Sequence, residues 1–149
     1  MPTIKAFGHG HTFLPMFFQS LILLQRDTMP YLISFDESLE IVHVIYAGII
    51  SLQERFQAVE EVCGSYSELV PLKIIVNVRE LKMQLTFEEQ QTFGEYLANH
   101  PGLANARVAV LHNRDSNPNI VVDSTAFQFG YTLAQFSHLK DAEDWLLGK

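Results

Sequence analysis

The sequence predicts an α/β fold: a mostly parallel, five-stranded sheet with four helices in the order β-β-α-β-α-β-α-β-α. Three observations predict it. Strand-like and helix-like periods alternate from Tyr31 to the end. The run PLKIIVNV is continuously apolar and rich in β-branched residues, which marks a strand buried on both faces. Two capping boxes, S-L-Q-E from Ser51 and T-F-E-E from Thr86, place helix starts between the strands.

YLISFDES and LEIVHVIYAG are the first two strands, joined through Asp36, Glu37 and Ser38 as a hairpin turn. In the second strand Ile41, His43 and Ile45 share one face, and Val42, Val44 and Tyr46 the other. Ser51 opens a helix carrying Leu52, Phe56, Val59, Val62 and Cys63 at helical spacing, with Gly64 as its expected stop. The central strand follows, then the Thr86 helix, which Pro101 and Gly102 end. ARVAVLHN is the fourth strand. Asn117-Pro118 supplies a cap and a first-turn proline for a helix from Pro118 to about Phe129, stopped by Gly130. TLAQFSHL is the last strand, and Asp141 is the expected cap of a helix carrying Ala142, Trp145 and Leu146.

Composition limits function. A chain of 149 residues, 48% apolar with eleven Phe, can bury a core without disulfides or metals. The net charge of −7 and scattered Lys and Arg argue against nucleic acid as a partner. The single Cys63 forms no internal disulfide, so a reduced, cytoplasmic setting is expected. Residues 1–28 are a separate segment, expected to be helical or disordered, and 29–149 the folded domain. Its run FLPMFFQSLILL (13–24), broken by Pro15, is too short for a bilayer, which needs about 20 residues. It reads as an upstream extension, as cover for one sheet face, or as an element exchanged between subunits, and a homodimer through it is expected.

The order of elements, with KIIVNVREL, RVAVLHN and the closing GYTLAQFSHLKDAEDWLL, resembles the SpoIIAA-like branch of the STAS superfamily, the domains of anti-sigma-factor antagonists and sulfate-transporter tails. The resemblance covers residues 31–147. Its most telling part is Phe136 in the last strand, an acidic helix cap, then Ala142 and Trp145-Leu146. It implies a sheet wound in sequence, helices mainly on one face, and a non-enzymatic regulatory module that docks helices and loops on a protein partner. Antagonists of this type carry a phosphorylatable Ser, in a D-x-S-G-like setting, where this chain reads NVRELKMQLTFEEQ. Thr86 is the one hydroxyl at that helix start. It is already explained as an N-cap, and a phosphate there would face Glu88 and Glu89.

Chemistry-bearing residues are few. His9 and His11 flank Gly10 without further ligands nearby, His43 lies in an apolar strand, and His100 precedes a helix-ending proline. No spacing predicts a metal site, and no glycine-rich loop predicts a cofactor. Cys63 sits on an apolar stripe and is expected to pack rather than react. One constellation stands out, because ligands of open α/β sheets lie beyond the carboxyl ends of the strands. The third strand is expected to end in Asn77, Arg79 and Glu80, the fourth in His112, Asn113, Arg114 and Asp115. Such a rim could hold an anion or a partner's acidic segment, or pair with itself in solvent. A second functional reading is carriage of a small apolar or lipid-like ligand, with Phe17, Phe18, Phe56, Phe93, Phe127 and Phe129 as lining.

Overall fold

A computed structural model describes residues 2–6, 9–11 and 30–149. The elements are β1 (Pro2–Ala6), β2 (His9–His11), β3 (Tyr31–Asp36), β4 (Ile41–Ile49), α1 (Leu52–Tyr66), β5 (Leu72–Lys82), α2 (Phe87–Asn99), a 3-10 turn (Pro101–Leu103), β6 (Ala106–Leu111), α3 (Ile120–Gln128), β7 (Leu133–Phe136) and α4 (Leu139–Leu146). From Tyr31 onward the fold is the expected one: four helices and five strands, β3 to β7, lying side by side in sequence order. Among these five, only β3 and β4 are antiparallel; β4, β5, β6 and β7 run parallel.

The N-terminal segment departs from expectation. Residues 2–6 and 9–11 are strands rather than helix, and they extend the sheet to seven strands in the order β2-β1-β3-β4-β5-β6-β7. The reason is backbone pairing: without β1, the outer edge of β3 would leave a row of N–H and C=O groups open. The apolar run 13–24, and the dimer contact expected through it, lie outside the described residues.

The central strands of the sheet are buried on both faces. Val42, Val44 and Tyr46 of β4, Ile74 and Val78 of β5, and Val108 and Val110 of β6 pack beneath α1, α2 and α3. Ile41, Ile75, Ala109 and Leu111 on the opposite face meet Ala142 and Leu146 of α4, with Phe136 and Trp145 at the margin. β4, β5 and β6 thus send alternate residues to two apolar layers, which is why the central run has no polar period. No helix among the described residues is long and apolar enough to cross a membrane.

Both capping boxes form as read. Ser51 and Thr86 accept from the N–H of Glu54 and Glu89, each at 3.1 Å, and those glutamates reach back to the cap N–H at 2.8 and 2.9 Å. Three terminal assignments change. Gly64 lies inside α1, which runs on to Tyr66. Asn119, not Asn117, is the N-cap of α3; Asn117 instead accepts the Asn119 N–H in a turn of its own. His138 holds the N-cap position of α4 without a side-chain capping bond, and Asp141 falls in the first turn, where a carboxylate still favours the helix dipole.

Candidate functional site

The predicted rim exists, because β5 and β6 are parallel neighbours whose pairing runs from Leu72–Ala106 to Asn77–Leu111. It is built differently at one point. β5 does not stop near Asn77: it outruns β6 to Lys82, pairing with the long β4 beyond an irregularity at Ile45/Ala47. Arg79 and Glu80 are therefore held on a strand rather than on a loop.

The rim's polar groups largely pair with one another. Asn77 Oδ1 accepts from the Arg79 backbone N–H and from its Nε, both at 3.1 Å. Asn113 Nδ2 donates to the Arg79 carbonyl at 2.7 Å, clipping the β6–α3 loop to β5. His112 Nδ1 lies 2.6 Å from the Asn113 carbonyl, which makes Nδ1 the donor. Arg79, Glu80, Asn113 and Arg114 are exposed and His112 is half-buried. The rim is thus an open, solvent-facing surface. Thr86 sits beside it with its hydroxyl engaged as the N-cap of α2.

A buried polar cluster just inside this rim escaped the sequence reading. Arg55 of α1 has no exposed surface. Its Nη1 donates to Asn119 Oδ1 at 3.0 Å, its Nη2 lies 3.7 Å from Met83 Sδ, and its guanidinium lies 5.5 and 5.7 Å from the rings of Tyr46 and Phe93. Asn119 Nδ2 donates in turn to Asp123 Oδ1 at 2.9 Å, and Asn117 and Gln135 donate to Asp123 Oδ2, both at 3.0 Å. Burial holds the Asp123 carboxyl above its ordinary range although three amides oppose the shift, and burial lowers the Arg55 pKa. The cluster joins α1, the loop after β5, the loop after β6 and β7. A signal was available: Arg55 falls on the same helical stripe as Leu52, Val59 and Val62.

A second contact also lay beyond sequence reasoning. Cys63 Sγ lies 3.9 Å from His100 Nδ1, and His100 Nε2 lies 2.8 Å from Glu60 Oε2. The order of groups resembles a nucleophile, base and acid, but its chemistry is that of a helix clamp. The Gly102 N–H already donates to His100 Nδ1 at 2.9 Å, and burial pushes the Cys63 thiol up to about 11. A thiol so raised stays protonated near neutral pH. Thiol and carboxylate also address opposite ring nitrogens, so the three cannot share one metal. No cluster of metal-ligating residues occurs among the described residues. His43 is a half-buried strand histidine; His9 and His11 fall in β2, and their side chains lie outside the described residues.

Between the sheet and α1–α3 lies a cavity of about 50 Å³, mostly aliphatic, with Asn119, Asp123 and Tyr131 in its wall. Of the described aromatic residues proposed as ligand lining, only Phe93 reaches it. Phe56 packs against Phe93 and Tyr96, Phe127 and Phe129 are exposed, and Phe17 and Phe18 lie outside the described residues. Comparison with protein-family models, curated proteins and solved structures finds no match to this chain.

Proposed function

We propose that the chain is a non-enzymatic regulatory module of the STAS type, acting in the cytoplasm by protein–protein contact through the carboxyl-end rim of its sheet. One observation carries the reading. Ile49 at the end of β4, Phe87 at the start of α2 and Ile120 at the start of α3 are 61%, 60% and 47% exposed, all at this one end of the sheet. Apolar side chains gathered beside a charged rim form the mixed surface that partners bind, with apolar anchors for affinity and charges for register. The strand order from β3 to β7 and the placing of α1–α3 on one face support the resemblance, whose members dock by helices and adjacent loops.

Quantitative cross-linking in the native host, with this chain as bait, tests it. The expected result is a protein cross-linked to residues near Phe87 and Ile120. It is retained by the native sequence and lost from both Phe87→Ser/Ile120→Ser and Arg79→Ala/Arg114→Ala. An identical retained set for all three proteins refutes the reading. Carriage of a small apolar ligand is the second reading, favoured by the aliphatic cavity. At about 50 Å³ that cavity seats a few heavy atoms rather than a lipid chain, so it takes second place.

A further inference from the structure

Among the described residues, the outer strand β7 pairs only with β6 and ends the sheet. The Val108 N–H donates to the Thr132 carbonyl at 3.0 Å and the His112 N–H to the Phe136 carbonyl at 2.9 Å. Residues 132, 134 and 136 thus turn their backbone groups inward. Leu133 and Gln135 turn their N–H and C=O groups outward, where no strand among the described residues receives them. Proteins ordinarily guard such an edge with lysine, proline, a bulge or a covering helix. Here residues 124–139 contain no charged residue and no proline, and the β6–β7 register is regular. Beside the edge, a groove between α3 and β7 is lined by Ser124, Phe127, Leu133, Ala134 and Gln135 together with the buried Asp123, whose carboxyl is held by three amides. Phe127 is 66% exposed and Phe129, just past the end of α3, 52%.

We infer that this edge is a homodimer interface, in which β7 of a second copy pairs antiparallel with it. The occupant follows from charge. Each chain carries −7, so two copies approach most favourably through a surface that exposes no charge, and residues 124–139 form one, with Asp123 buried behind them. A different partner would be steered by complementary charge, and this edge offers none. The strand is also self-complementary. A two-fold axis at Ala134 sets Leu133 against Gln135 of the second copy and closes four N–H···O=C bonds. The same rotation keeps both α3 helices on one face and brings Phe127 to Phe127 of the second copy.

The test is sedimentation equilibrium on the full chain together with concentration-dependent amide exchange. The native protein is expected at twice 17.0 kDa, with the Leu133 and Gln135 amides gaining protection as concentration rises. Gln135→Pro removes an outward N–H without touching a β6 bond, and Gln135→Ala controls for loss of the side-chain bond to Asp123. Gln135→Pro and Phe127→Lys should each weaken dimerisation by about tenfold or more, as loss of an interface anchor does, while Gln135→Ala stays dimeric. Phe127→Lys, at an exposed site, keeps the test valid if Gln135→Pro does not fold. A native chain that is monomeric throughout, or a dimer insensitive to Phe127→Lys, overturns the inference.

Discussion

Gly94 offers a prediction in which the sign alone decides. It is buried in α2, where that helix crosses closest to α3. A Cβ placed on it would lie 2.7 Å from Thr125 Cβ, 2.9 Å from the Val122 carbonyl oxygen and 3.0 Å from Thr125 Cγ2. Carbon atoms sit comfortably at about 3.5–4.0 Å, so α2 and α3 must separate by roughly 1 Å. A backbone oxygen and a Cβ cannot rotate aside. Overpacking of this kind costs about 1–3 kcal/mol, against a gain of about 1 kcal/mol from replacing glycine inside a helix. Gly64 is the control: it lies within α1, is exposed, and nothing stands within 4 Å of its added Cβ. Gly64→Ala should therefore stabilise by about 1 kcal/mol, while Gly94→Ala should lose about 1 kcal/mol net. Urea denaturation with unchanged m-values measures both. If Gly94→Ala gains as much as Gly64→Ala, the helices are not in the contact described and the reasoning fails.

Two further outcomes follow from the polar groups. Arg55→Met leaves Asn119 Oδ1 unpaired in the interior and strips Asp123 of its nearest buried cation, so it should cost about 3 kcal/mol in urea denaturation. Adding Asp123→Asn should cost less than the sum of the two single losses; strict additivity would show that the cluster is not coupled. Burial holds the His43 pKa below its ordinary value of 6.5, so folding favours the neutral ring. The stability this residue contributes is full above pH 6.5 and is lost as pH falls from there through the lowered folded-state value. His43→Gln should flatten that part of the acid limb, and an NMR titration midpoint at or above 6.5 for His43 would contradict it.

The legible parts of this protein were those whose signal lies within a few residues. Ser51 and Thr86 could be read as caps because the partner glutamate stands three positions on. The central strand could be read because burial on two faces erases its polar period. The rim at His112–Arg114 followed from strand order, since parallel neighbours end on the same side. Helix ends near Gly64, Asn117 and Asp141 were misread by a few residues, because several residues there satisfy the same local rule.

The succession of strands and helices from Tyr31 onward, and the chemistry of their starts, are therefore local properties of the chain. The tertiary structure alone decided which polar groups meet. Arg55 finds Asn119 across 64 positions, Cys63 meets His100 across 37, and Gly94 touches Thr125 on another helix. It also decided that residues 2–6 pair with β3 and that β7 ends the sheet among the described residues. The physical reason is common to all of these. Caps and periodicity are satisfied within one element, whereas a buried charge, a close helix crossing or a strand edge is defined by a partner that only the folded chain supplies.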